Sequence, residues 1–137
     1  MAASVELLER IPLFAGLDRR ELERIGRTMK PRTFAAGDTV ASEGTGGAGF
    51  FVIEDGRAKV SVHGEERGTL GPGDYFGEVA LIDEGARSAT ITAETDLRCY
   101  GLTPWEFRPL AQTNASVAWN LAQMLAKRLR TAEHAEV

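Results

Sequence analysis

Apolar and polar positions change rhythm twice along this chain of 137 residues. Near the N-terminus, Leu22, Ile25 and Met29 recur every three or four positions, which predicts a helix over 18–29 with that face in the core. Asp18 stands three residues before Glu21, a capping-box spacing with aspartate in the Ser/Thr place, and marks where this helix starts. A shorter helix is predicted over 4–10. From 32 to 102 the period drops to two. Ala58, Val60 and Val62 alternate with Lys59 and Ser61, and Ala89, Ile91 and Ala93 alternate with Thr90 and Thr92. Turn signals cut these runs short at Gly37-Asp38, Gly46-Gly47, Asp55-Gly56, Gly71-Pro72-Gly73 and Glu84-Gly85. Many short strands with close turns predict a barrel or jelly roll, and a pocket is expected in this region.

Helical spacing returns after Thr103-Pro104, where Thr103 suits an N-cap and Pro104 the first helical position. A second C-terminal helix is predicted over 115–133. Its Val117, Leu121, Met124, Leu125 and Leu129 form one apolar stripe, which Ala118, Ala122 and Ala126 widen. Packing on the barrel would use such a stripe. A stripe this wide could also serve two contacts, a lid over a ligand and a partner helix in a dimer.

Composition narrows the function. Hydrophobic residues at 43% and charged residues at 26% are ordinary for one globular domain, and the formal charge of −4 argues against a general nucleic-acid binder. The longest apolar run, Ala48 to Ile53, is too short to span a bilayer, and Glu6 and Glu9 interrupt any leader-like N-terminus. A cytoplasmic location is expected. Cys99 is the single cysteine, so neither an internal disulfide nor a multi-cysteine metal site is available. The two histidines, His63 and His134, cannot form a clustered metal site, and no Ser or Cys has an evident histidine base. These absences point away from an enzyme. Lys127, Arg128 and Arg130 gather near a helix C-terminus, where cations suit the dipole, and read as a solvated face.

The chemistry concentrates in Phe76-Gly77-Glu78-Val79-Ala80-Leu81-Ile82 and, after a short acidic loop, Arg87-Ser88-Ala89-Thr90. Gly77 has no Cβ, so a ligand can approach its backbone. Glu78 to Ile82 reads as one helical turn, whose first amides are free to donate to an anion. Arg87 offers a planar, permanently charged fork for a phosphate, and Glu78 an acceptor for a sugar hydroxyl.

This stretch resembles the phosphate-binding cassette of the cyclic nucleotide-binding domain family, which includes catabolite activator proteins and protein kinase A regulatory subunits. The resemblance extends to Ile11-Pro12-Leu13-Phe14 with Leu17, Gly37-Asp38-Thr39-Val40 through Glu43-Gly44, Phe50-Phe51-Val52-Ile53, Gly56-Arg57-Ala58-Lys59-Val60, and Gly71-Pro72-Gly73-Asp74-Tyr75. It implies a mainly β fold, a jelly roll (double-stranded β-helix) over 31–102 carrying its cassette at 76–90. N-terminal helices over 1–30 and C-terminal lid or dimer helices over 103–137 would flank it. It also implies a regulatory sensor that performs no chemistry, binds cyclic AMP without any cofactor or metal, and answers by closing the C-terminal helix.

The ligand-contacting residues implied are Gly77, Glu78, Val79, Ala80, Arg87, Ser88, Ala89 and Val60. In the family, the position of Glu78 takes the ribose 2′-hydroxyl and that of Arg87 the cyclic phosphate. Backbone donors would come from Gly77, Ala80 and Ala89, and Val60 would lie against base or sugar. Ser88 matches a position whose hydroxyl, where present, meets phosphate or purine. The residue before Arg87, often proline in the family, is Ala86, which leaves the loop less stiff. Arg130, Thr131, Ala132 and Glu133 stand where catabolite activator proteins carry adenine-reading side chains, so cyclic GMP stays open as the alternative ligand. A ligand-free interaction or dimerisation module of the same fold is the other alternative. The expected partners are a nucleotide and either a second copy or an unidentified effector, with no direct contact to nucleic acid or membrane. Free-standing binder and piece of a longer regulator both remain open.

Overall fold

A computed structural model describes residues 2–42, 49–83 and 89–136 of the chain. Among these residues eight strands form two antiparallel sheets of four. β1 (Lys30–Phe34), β8 (Leu97–Leu102), β3 (Phe50–Asp55) and β6 (Tyr75–Phe76) make the first, in that order. β2 (Thr39–Ala41), β7 (Thr90–Ala93), β4 (Ala58–Val62) and β5 (Glu65–Leu70) make the second. This is the expected jelly roll. β3 explains the apolar run that ends at Ile53: alternate side chains enter different cores, so neither face can be polar. Phe51 and Ile53 join Ala58, Phe76, Ile91, Ala93, Leu97 and Cys99 between the sheets. Phe50 and Val52 point the other way, into a core shared with the helices.

The helices α1 (Val5–Glu9) and α2 (Arg19–Thr28) cover that second core with Leu7, Leu8, Leu22 and Ile25. Their starts follow the local chemistry of the chain. The Leu7 N–H donates to Ser4 Oγ at 3.1 Å, and Asp18 and Glu21 form the full reciprocal capping box. Gly26 sits where the two helices touch; the Ala3 N–H donates to its carbonyl at 3.1 Å. A Cβ on Gly26 would lie 2.3 Å from the Ala3 carbonyl oxygen, a backbone atom that cannot swing away. Alanine is the better helix former by about 0.5–1 kcal/mol. Gly26→Ala should nevertheless destabilise the chain, by about 1–2 kcal/mol, because overpacking outweighs propensity here. Denaturant melts that show a gain in stability would contradict this packing.

α3 (Pro104–Thr113) begins with a second capping box, Thr103 with Glu106, and carries Pro109 inside it. α4 (Ala115–Glu136) runs past the predicted end at 133. Its apolar stripe divides in a way the pattern did not show. Val117 and Leu121 are buried, Met124 and Leu125 pack on the same core, and Leu129 is 62% exposed. Ala118, Ala122 and Ala126 are exposed as well, and so is Trp119. The middle of α4 is fastened to the turn before α2, where Asn120 Nδ2 donates to the carbonyls of Leu13 (3.0 Å) and Ala15 (2.8 Å).

Cys99 lies in β8, fully buried between the sheets, and burial pushes its thiol up to about 12 from an ordinary 9.0. A neutral, inaccessible thiol should resist alkylation until the chain unfolds. Because the folded thiol holds its proton longer than the unfolded one, its contribution to stability is complete below pH 9 and lost as pH climbs toward 12. Labelling at pH 8 that matches the rate of a free thiol would show that the sheets open readily.

Candidate ligand-binding site

The site grows out of the turn that leads into β6. The Gly71 N–H donates to Asp74 Oδ2 at 2.7 Å, and the Gly73 N–H donates to the Ile53 carbonyl at 2.9 Å, which ties the turn to β3. The Arg10 guanidinium donates to the Pro72 carbonyl at 3.3 Å and lies against Gly73. β6 then pairs with β3, Phe51 opposite Phe76 and Val52 opposite Tyr75. Gly77 leaves the strand at φ +88°, in the left-handed region that favours glycine. Glu78 follows at the head of a 3-10 turn, Val79–Leu81. Within it the Ala80 N–H donates to the Gly77 carbonyl at 3.1 Å. The Ala80 amide, one of the expected backbone donors, makes this bond within the turn. The amides of Gly77, Glu78 and Val79 precede this first intrahelical bond.

A cavity of about 570 Å³ opens against this turn, within the usual range for a small-molecule site. Gly77, Glu78, Val79, Ala80, Ala89 and Val60 all line it. Six of the eight expected residues are thus brought together around one space. Arg87 and Ser88 lie outside the described residues. Ala41, Leu70 and Ile91 extend the apolar wall that Val60 begins, and Asp74, Tyr75, Phe76 and Asp83 complete the cassette side. Val60 is half-buried because it faces the cavity, whereas Ala58 in the same strand is closed off in the core.

The sequence offers Glu78 as an acceptor for a sugar hydroxyl. It is 6% exposed, the one buried charged residue among those described. A carboxylate so placed needs a partner. The partner is Arg128 of α4, whose Nη1 donates to Glu78 Oε1 at 2.5 Å. This corrects the reading of Arg128 as only part of a solvated face: its guanidinium reaches Glu78 and the residue lines the cavity, while half of its side chain stays exposed. Sequence reasoning missed it because charge alone suggested solvent. The signal was in the spacing, since Val117, Leu121, Met124 and Arg128 share one face of α4. The Tyr75 hydroxyl is pushed above its ordinary pKa by burial first, then by the Glu78 carboxylate, against a smaller opposing pull from Arg128. It therefore stays a neutral donor at physiological pH.

Among the described residues the cavity lining carries three carboxylates, Asp74, Glu78 and Asp83, against one guanidinium, Arg128. Among the described residues no group of three His, Cys, Asp or Glu is arranged to hold a metal ion, and no helix is long and apolar enough to cross a membrane.

Residues 31–114 match the family model described as the cyclic nucleotide-binding domain. The chain belongs to that family. The cAMP-dependent protein kinase regulatory subunit of Schizosaccharomyces pombe is 41% identical over 93 residues, covering 67% of this chain and 23% of that protein. The Cyclic AMP receptor protein of Thermus thermophilus is 34% identical over 127 residues, covering 89% of this chain and 59% of the relative. The chain therefore spans less than two thirds of either relative's length. Among solved structures, the N-terminal domain of a transcriptional regulator from Streptomyces coelicolor is similar at a TM-score of 0.78 and 34% identity, covering 94% of this chain and 93% of that one. The two relatives are named as regulatory and receptor proteins, in keeping with a binding domain that regulates.

Proposed function

We propose that this cyclic nucleotide-binding domain is a cyclic AMP sensor whose answer to ligand is a change in how α4 sits over the cavity. The observation that carries the proposal is the Glu78–Arg128 pair. It joins the residue suited to a ribose hydroxyl to the helix suited to report on it. Glu78 Oε1 is taken by Arg128, which leaves the second oxygen for the sugar. The cyclic phosphate would lie on the Gly77 turn with Arg87, and the base against Val60, Leu70 and Arg128's stem. Both relatives above carry cyclic AMP in their names, which favours adenine over guanine. Such a domain does no chemistry: its output is the difference in ligand affinity between two positions of α4.

Calorimetric titration of the purified chain with cyclic AMP and, in parallel, cyclic GMP tests the reading. Micromolar or tighter one-to-one binding of cyclic AMP is expected, with cyclic GMP weaker. The reverse order would make it a cyclic GMP sensor. No heat with either at two temperatures would reduce it to an interaction module.

The exposed side of α4, with Ala118, Trp119, Ala122, Ala126 and Leu129, suits a second copy of the chain. Sedimentation should show a dimer at high concentration that Leu129→Glu weakens. A monomeric mass with and without ligand would end that part of the proposal.

A further inference from the structure

We infer that Glu21, far from the cavity in sequence and absent from its lining, is a positioning residue that holds α4 in its place over the site. It acts through Asn114, and its effect on ligand affinity rests on the cyclic-nucleotide reading above. α3 and α4 meet at this single asparagine, whose polar groups all serve the joint. Its N–H donates to the Leu110 carbonyl at 2.9 Å and closes α3. Its Oδ1 accepts from the amides of Ser116 (3.1 Å) and Val117 (3.4 Å) and opens α4. Its Nδ2 donates to Glu21 Oε2 at 2.5 Å, across 93 residues of chain. Glu21 is itself held, because its other oxygen accepts the Asp18 N–H at 3.1 Å in the capping box of α2.

A capping box needs only one carboxylate oxygen. The second oxygen here fastens the residue that sets the direction in which α4 departs. α2 is anchored by Leu22 and Ile25 in the core, so the clamp ties the axis of α4 to the body of the protein. The leverage is large. Arg128 lies about 21 Å along the axis from Asn114, at about 1.5 Å per residue. A pivot of about 10° at the joint would carry Arg128 by about 4 Å, more than a hydrogen bond to Glu78 tolerates. Asn120 fastens the same helix nearer its middle, but to neutral carbonyls, whereas the Glu21 clamp has an ionised acceptor.

The test exploits the fact that aspartate caps a helix as well as asparagine does. Asn114→Asp keeps the bonds to Ser116 and Val117 but sets a carboxylate against Glu21. Pairing it with Glu21→Gln restores a donor to the clamp, while the glutamine oxygen keeps the bond to Asp18. Amide exchange of the ligand-free chain is the first readout, with the unfolding midpoint recorded to show that the fold persists. N114D should speed exchange along α4 as far as Arg128, and the double variant E21Q/N114D should restore protection. Cyclic AMP affinity should fall about tenfold in N114D and return in the double variant. Faster exchange confined to 115–118, or no restoration by E21Q, would reduce the pair to a local cap and overturn the inference. If the wild-type chain bound neither nucleotide, the exchange pattern would still decide the clamp, and only the ligand assignment would fall.

Discussion

Arg87→Ala should bind cyclic AMP about 30- to 1000-fold more weakly than the wild-type chain, a loss of about 2–4 kcal/mol. The charge inventory of the cavity explains why the effect should be so large. Asp74, Glu78 and Asp83 line it against Arg128, whose guanidinium is already engaged by Glu78. Because the guanidinium of Arg128 is engaged by Glu78, an anionic ligand entering there calls for a further cation. On the proposed reading, Arg87, two residues before the lining Ala89 in the chain, supplies that cation. A bidentate guanidinium–phosphate pair is strong and geometrically demanding, so Arg87→Lys should recover only part of the loss. The unfolding midpoint should stay near that of the wild type, since both cores are assembled from apolar side chains of the described strands and helices. Calorimetry on the three proteins is the check. Equal affinities would place the phosphate elsewhere.

The second large effect is expected at Arg128. Arg128→Ala leaves the Glu78 carboxylate in a site where it is 6% exposed, without the guanidinium that donates to it. Breaking a fully buried pair costs about 3–5 kcal/mol. Arg128's side chain is 51% exposed, so solvent screens part of the interaction, and about 1–3 kcal/mol is the expected loss of stability. The cost arises from the orphaned carboxylate. Glu78→Ala combined with Arg128→Ala should therefore destabilise less than the sum of the two single changes. Additive effects in denaturant melts would show that the pair is not coupled. Cyclic AMP affinity should also fall in Arg128→Ala, by less than in Arg87→Ala, because Arg128 positions Glu78 and does not carry the phosphate.

Much of this site was legible before any coordinates. Gly77 reads as a tight turn because only glycine takes φ +88° without strain, and Asp18 with Glu21 reads as a helix start because the bonds are made within three residues. Val60 and Ala58 announce a strand by period two, yet nothing local distinguishes the one that faces the cavity from the one in the core. The choice between a 3-10 turn and an α-helical turn over 79–81 is made by how the segment packs, not by its composition.

Arg128 marks the limit. Its neighbours Lys127 and Arg130 make it look like one more solvated cation. Only the docking of α4 brings it to Glu78, fifty positions away in the chain. The same holds for Asn114 and Glu21, each a plausible helix cap by itself and a clamp only together.

By itself, then, the sequence announced the alternating strands around Val60 and Ile91, the turns at Gly37-Asp38, Asp55-Gly56 and Gly71-Pro72-Gly73, the Asp18–Glu21 capping box and the family; the turn signals at Gly46-Gly47 and Glu84-Gly85 lie outside the described residues. These depend on backbone preferences and contacts within a few residues, which travel with the chain wherever it folds. The tertiary structure alone decided which face of α4 is buried, which acids share the cavity and which cation answers Glu78. Those outcomes depend on distances between elements far apart in sequence, which burial and packing set once the sheets and helices close on one another.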